Sequence, residues 1–244
     1  RESQLTNILA IDTSSAWCSV ALSLTDAAPL VRHQKVSAGA SQLLLPWVEE
    51  LLSEASINLS SLDAIAIGIG PGAFTGVRLG VAAVQGLAIA ARLPVLPVAS
   101  LDAIASQLVL TPAFIASGAQ SFVIAVDARM EEVYWAKYRV GSNKLSHREG
   151  DIHLTAPEGV ELNGIDFLAG SAILEFGDRL FASISQALDS GQLDSTIGVN
   201  SLGVLSCAQE MWAKGLQQDI HLLEPLYIRN KVALTSIERS QQHG

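Results

Sequence analysis

The chain reads as an α/β protein whose fold is built twice, and three observations carry that reading. Apolar runs of strand length alternate with segments of helical composition along the sequence. The opening hairpin recurs: Ile8-Leu9-Ala10-Ile11-Asp12 aligns without a gap on Val123-Ile124-Ala125-Val126-Asp127, an offset of 115 residues in a chain of 244. Composition agrees, since 49 % hydrophobic, 5 % aromatic and 16 % charged residues suit a well-buried core and exclude a disordered chain. Each half opens with a hydrophobic hairpin bearing an acid. The halves are placed at 1–107 and 108–244, the second less regular and with a final segment able to return to the first.

Taken in order, Ile8–Ile11 is a short strand, Thr13-Ser14-Ser15 a turn and Trp17–Leu24 the second strand of the hairpin. Val31–Val36 supplies a third strand before Ser37-Ala38-Gly39. A helix over Ser41–Ala55 follows, with Ser41 as its N-cap and Pro46 tolerable only near its first turn. Leu62–Gly68 has the character of a buried strand, Gly70-Pro71-Gly72-Ala73 breaks it, and Phe74–Arg92 has helical composition. Pro94–Val98 is a strand entering another helix at Ser100. The second half repeats the hairpin with Phe122–Val126 and Glu132–Val140, then loosens. There Ser142–Gly164 is loop-rich, Ile165–Leu168 a short strand, and Ser201–Lys214 a helix stopped by Gly215.

The formal net charge of −9 repels a phosphate backbone, so tight nucleic-acid binding by this chain alone is disfavoured. An RNA contact would need a basic partner or a local patch. Arg229, Lys231 and Arg239 against Glu238 make the tail locally basic, either as a solvated end or as such a contact. Cys18 and Cys207 are far apart and outside metal-type spacing, and both read as small buried hydrophobes of a reducing cytosol. The longest apolar run, Leu79–Ala91, is interrupted by Gln85 and too short to span a bilayer. Arg1–Asn7 is polar. A soluble, cytoplasmic protein without signal peptide or membrane association is expected.

Asp12-Thr13-Ser14-Ser15 offers a carboxylate, hydroxyls and backbone N–H groups in one tight turn. It could hold a nucleotide phosphate with its metal, or be an ordinary polar turn. Anion-cradling turns need glycine for close backbone approach, and Ser14 in the first hairpin and Arg129 in the second count against phosphotransfer. The segment from Gly68 to Arg78 passes from strand through a glycine-rich loop into a helix. Its free N–H groups, around Gly70, Gly72 and Thr75, could hold an anion. Equally, the glycines could serve a tight strand-to-helix connection; no Gly-Lys-Ser/Thr follows to make a P-loop.

The five histidines (His33, His147, His153, His221, His243) show no helical ligand spacing, so a metal held by histidine pairs is disfavoured. No Gly-x-Ser-x-Gly elbow occurs. Glu131 and Glu132, as strand neighbours, would point to opposite faces and read as a solvated edge.

Two helices are unusually apolar. Between Val77 and Ala91 the strongly polar residues are Arg78 and Gln85, forming one narrow strip that Arg92 continues. In the preceding helix Leu44, Val48, Leu51, Leu52 and Ala55 make one face, while Leu43 and Trp47 make a second ridge. Gly76, Gly80, Ala83 and Gly86 permit close helix approach. Helices apolar nearly all round are buried on more than one side, here either within the monomer or under a partner. The docking reading assigns Leu43, Trp47, Glu50, Gly76, Gly80, Ala83, Val84 and Leu87, with Val84 placed off the polar strip.

These residues resemble the bacterial TsaB (YeaZ) family. Ile8–Ser14, Gly70-Pro71-Gly72-Ala73-Phe74-Thr75-Gly76-Val77-Arg78 and Gln85-Gly86-Leu87-Ala88 fit its pattern, as do Val126–Ala136 and Glu224–Asn230. The likeness runs from Asn7 to about Val232, and the Gly-Pro-Gly-Ala-Phe-Thr-Gly-Val-Arg string is its most specific part.

The resemblance implies a two-subdomain actin-like ATPase fold (ASKHA, RNase H-like) with internal duplication. It implies a non-catalytic scaffold and activator of TsaD. TsaD is the homologous subunit that carries the metal and transfers the threonylcarbamoyl group to the adenosine next to the anticodon. TsaE, a small P-loop ATPase, is the implied third partner, and TsaC makes the adenylate. On this reading the chain has no cofactor of its own, and ATP or ADP and a divalent metal sit in the partner subunits. It pairs with TsaD through the two apolar helices, forms a homodimer when alone and meets tRNA only in the complex. Asp12, Thr13, Ser14, Gly70, Gly72 and Thr75 would be the remnant of a nucleotide loop. One departure is Ala40, where members often carry histidine. The rival reading is an independent ATP-dependent phosphotransferase using Asp12 and Asp127; a peptidase is weaker, since no nucleophile–base set supports it.

Overall fold

A computed structural model describes residues 6–228. Residues up to 107 and 198–226 make one compact unit, and 108–197 make the body of the other. The segment 198–226, which the sequence places in the second half as able to return to the first, folds with the first.

In the first unit, β1 (Ile8–Asp12), β2 (Trp17–Leu24), β3 (Ala27–Lys35), β4 (Ala64–Gly68) and β5 (Val95–Val98) form a sheet of order β3-β2-β1-β4-β5. β1, β2 and β3 pair antiparallel, while β4 and β5 join parallel. Side chains alternate across a strand, and here the two faces differ in size. Leu9, Leu22 and Ile65 line up across the sheet, and so do Ile11, Val20 and Ile67. This bulky face packs beneath α1 (Ala40–Glu54) and α2 (Phe74–Ala91) in one core with Leu44, Leu51, Val77, Val81 and Val84. The opposite face carries Ala10, Ala21 and Ala66 in one row. Small residues there let the late helix α6 (Ser201–Ala213) lie across β1, β2, β4 and β5.

Ser19 on β2 fixes the start of α6: its Oγ donates to Ser201 Oγ at 2.8 Å and accepts the Ser201 N–H at 2.8 Å. Asn200 caps the helix by accepting the Leu202 N–H. Gly203 must be glycine, because a Cβ would stand 2.6 Å from the Ala103 carbonyl of α3 (Ser100–Leu108).

In the second unit, β6 (Ser121–Asp127), β7 (Val133–Val140), β8 (Ser146–Thr155), β9 (Phe167–Ala169) and β10 (Leu193–Asp194) form a sheet of order β10-β9-β6-β7-β8. Numbered within its unit, this is the same 3-2-1-4-5 arrangement with the same strand directions. The duplication seen in the hairpins thus extends to the whole topology. Val123, Ala125, Trp135 and Leu168 form the core on one face. On the other, Phe122 stacks on Tyr138, and Phe114 of α4 (Pro112–Ser117) meets Phe122 and Phe167 edge-on at 5.2 and 5.1 Å. The short α5 (Ala172–Phe176) follows β9.

Several expectations need correcting. α1 starts at Ala40 behind Gly39, not behind a Ser41 cap, and Pro46 lies well inside it. Its missing N–H leaves the Gln42 carbonyl without the usual helical donor, which is tolerable because Pro46 and Gln42 are exposed. The stretch read as loop-rich contains the ten-residue β8, an edge strand with half of its residues exposed. β7 begins at Val133, not Glu132, because Arg129, Met130 and Glu131 hold a left-handed turn with φ of 65°, 51° and 60°. Glu131 consequently turns off the strand and pairs with Arg179 at 3.4 Å.

Candidate functional site

The turn after β1 is enclosed by the glycine-rich loop that precedes α2. Asp12, Thr13 and Ser14 are all buried. The Asp12 carboxylate accepts the Ser14 N–H at 2.9 Å, and Ser14 Oγ lies 2.9 and 3.1 Å from its two oxygens and 3.0 Å from Ser100 Oγ. Thr13 Oγ1 donates to the Gly76 carbonyl at 2.6 Å, and the Ser14 carbonyl accepts the Ala73 N–H at 2.8 Å. The Asp12 carboxyl and the Thr13 and Ser14 hydroxyls are therefore each hydrogen-bonded within the chain.

The glycines are explained by that contact. A Cβ on Gly72 would stand 2.3 Å from the Ser14 carbonyl oxygen, one on Gly76 2.1 Å from that of Thr13, and one on Gly68 1.8 Å from Asp12 Oδ2. Of the two readings left open for this loop, the geometry accounts for the tight connection in full. Gly70, at φ 92°, turns the chain, and its carbonyl accepts the Ser100 N–H at 2.9 Å. Thr75 stands exposed in the first turn of α2.

Burial pushes the Asp12 carboxyl up from 3.8 to about 6, against the opposing pull of its Ser14 hydrogen bonds. Its counterpart Asp127 accepts the Arg129 N–H, while its own N–H is held by Ser171 Oγ.

Among the described residues no three His, Cys, Asp or Glu side chains converge as a metal site. A serine and a histidine do meet: His33 Nδ1 lies 2.8 Å from Ser19 Oγ. Ser19 is 1 % exposed and already committed to Ser201, so it cannot reach a substrate. Burial lowers the His33 pKa, and Trp17 stacks on its ring at 4.3 Å. Cys207 is held by burial at about 12 and is inert as a thiol.

The second candidate feature is α2. Only Val77, Gly80, Val81, Val84 and Ala88 of its 18 residues are buried. The exposed side runs Phe74, Arg78, Ala82, Gly86, Ile89 at steps of four, four, four and three, a continuous stripe along the helix. Phe74 and Ile89 are each 58 % exposed, far more than large apolar side chains in a closed core. The Arg78 guanidinium lies 3.7 Å above the Phe74 ring. A Cβ on Gly86 would meet nothing within 4 Å. Leu45, 48 % exposed, adds to the apolar surface on α1. α2 is long and apolar enough to cross a membrane by length and composition, yet one of its sides is built into the core against β4 and β1.

This geometry revises the docking residues expected from sequence. Val84 is fully buried, Gly80 and Trp47 are buried, and all three belong to the monomer's interior, so none can be a surface contact. Gly80 sits against Thr13 Oγ1, which a Cβ would approach to 2.7 Å. Leu43, Ala83 and Leu87 are half-buried at the margin of the core. Gly76 is half-buried over Thr13, and Glu50 is exposed but 3.4 Å from Arg32, which also pairs with Glu54. The sequence reading missed Phe74, Ala82 and Ile89, although the four-residue spacing from Phe74 to Gly86 is visible in the sequence. The basic tail, with Arg229, Lys231 and Arg239, lies outside the described residues.

Known proteins resemble the chain over nearly its whole length. Residues 33–176 match the family model described as TsaD, tRNA N6-adenosine threonylcarbamoyltransferase. The Escherichia coli K12 tRNA threonylcarbamoyladenosine biosynthesis protein TsaB is 34 % identical, over 93 % of this chain and 96 % of its own length. The Haemophilus influenzae protein of that name is 33 % identical, over 92 % and 94 %. Among solved structures, YeaZ from Pseudomonas aeruginosa aligns with a TM-score of 0.77 at 35 % identity, covering 91 % of this chain and all of that one. A Pseudomonas aeruginosa protein described as similar to the peptidase YeaZ gives 0.78 at 36 % identity, covering 92 % and 100 %.

Proposed function

The chain belongs to the TsaB family of tRNA threonylcarbamoyladenosine biosynthesis proteins, and from that premise we propose that it acts by docking, as the non-catalytic subunit that pairs with TsaD. One observation carries the reading. Apart from Arg78, the exposed stripe of α2 is apolar and small-residued, while the side chains of the turn that would have to bind a nucleotide are bonded to the chain's own loop and to one another. A helix with that face exposed is stabilised by a partner that covers it. Phe74 and Ile89 supply apolar anchors at its ends, and Ala82 and Gly86 let a partner backbone come close between them.

The role is to hold TsaD in its active arrangement, with TsaE as the third partner and TsaC making the adenylate in the cytoplasm. Threonylcarbamoyl transfer to the adenosine beside the anticodon is then TsaD's chemistry, and tRNA is met in the complex. ATP or ADP and the divalent metal belong to the partner subunits. Alone, the chain covers the same face by forming a homodimer.

Reconstitution tests this. Purified cognate TsaD, TsaE and TsaC with substrate tRNA should form threonylcarbamoyladenosine when the wild-type chain or its Asp12→Asn variant is added, and fail to do so without it. Loss of product with a folded Asp12→Asn variant would favour the rival, a chain that uses its own carboxylate in catalysis.

A further inference from the structure

The stripe on α2 does not end at the end of the helix. Ile89, its last member, is also one wall of a groove of about 330 Å³ between the end of α2 and the segment 219–221. Ala88 and Leu93 form the buried floor, Ile220 stands opposite, and Arg92, Pro94 and His221 edge the mouth. The groove is a fixed feature. Gln218 exchanges both backbone hydrogen bonds with Val95, and the Leu93 N–H closes α2 on the Ala88 carbonyl. Asp219 is occupied in accepting the His221 N–H at 2.8 Å. Arg92 terminates α2 in the left-handed region, φ 55°, and lines the groove. It is exposed and has no ion pair with any described residue.

Resting on the docking reading of α2, we infer that this groove is the specificity pocket of that interface: it takes an apolar side chain of the partner protein, with a carboxylate beside it on Arg92. Continuity decides the occupant. A surface that covers α2 as far as Ile89 lies over the groove mouth, because Ile89 belongs to both. Charge decides the second element. Arg92 is an exposed cation at the groove with no ion pair among the described residues, and it is matched by an acid from the partner. The volume is at the low end of the roughly 300–1,000 Å³ of small-molecule clefts, and suits inserted side chains. The few residues that dominate binding seat in desolvated pockets, and arginine is enriched among them.

The test measures affinity for purified cognate TsaD by calorimetry, using Ala82→Glu, Ile89→Asp, Arg92→Glu and Arg92→Lys, each checked for an unchanged melting temperature. Ala82 is on the stripe but away from the groove, so its variant reports on the docking reading alone. The inference expects Arg92→Glu and Ile89→Asp each to weaken binding about tenfold or more, with Arg92→Lys retaining most of the affinity. If Ala82→Glu abolishes binding while both groove variants bind within about twofold of wild type, the groove is not part of the interface and the docking reading survives. If Ala82→Glu and the groove variants all bind like wild type, both fall. Should Arg92→Glu disrupt only the self-association of the isolated chain, the occupant is a second copy and the inference is overturned.

Discussion

At Asp12 the chain keeps an ionisable group where ionisation is unfavourable. Its folded pKa of about 6 lies above the ordinary 3.8, so its contribution to stability is fully present below 3.8 and is lost as pH rises through 6. At about pH 7.5 the ionised carboxylate lowers stability by up to about 3 kcal/mol. Asp12→Asn, which can still accept the Ser14 N–H, should therefore gain about 1–3 kcal/mol in urea unfolding at about pH 7.5 and nothing near pH 4. An equal loss at both pH values would mean that the Ser14 bonds need the carboxyl group itself, whatever its charge.

The neighbouring glycines give a second test at this scale. Gly72→Ala drives a methyl into the Ser14 backbone, and Gly68→Ala drives one into the Asp12 side chain. Both should cost about 2–4 kcal/mol. Only the second should be relieved by Asp12→Ala, as a double-mutant cycle would report. From sequence, these glycines supported an anion cradle and a tight turn equally. Composition cannot say what a glycine's missing side chain makes room for, and only the placement of Ser14 and Thr13 against the loop separates the two.

At the scale of elements, α2 has two sides that differ in what a charge would do. Val84→Glu puts an unpaired carboxylate into a fully closed core and should cost more than about 4 kcal/mol or prevent folding. Ala82→Glu stands in solvent and should change stability by less than about 0.5 kcal/mol. Thermal melting of the two variants checks this directly. The sequence identified α1 and α2 as the helices of interest, since their apolar character does not depend on context. It could not orient them, because Val84 and Ala82 are equally plausible on a helix with few polar residues to mark its outer side. β8 escaped for a related reason: an edge strand reading Ser-His-Arg-Glu-Gly-Asp-Ile-His-Leu-Thr has little apolar alternation to reveal it.

In the molecule as a whole, the first sheet is closed by a helix that arrives from the far end of the chain. The row Ala10, Ala21, Ala66 is too small to be a core by itself, and it is completed by Val204, Leu205 and Ala208 of α6. A fragment of residues 1–107 should therefore bind ANS and lack a cooperative melt, whereas the same fragment mixed with a 198–228 peptide should regain one. The duplication was legible from two aligned hairpins, but the shared strand order was not, since the hairpins fix only the first two strands of each half. The return of 198–226 was only an option in the sequence, because the helix over 201–213 looks the same wherever it packs.

The most direct measurement is the affinity of Ala82→Glu for purified cognate TsaD, set against wild type under identical salt and temperature. A docking subunit that works through the exposed side of α2 should lose about a hundredfold or more in Kd while keeping its melting temperature. A folded Ala82→Glu variant that binds TsaD as tightly as wild type would contradict that role for α2.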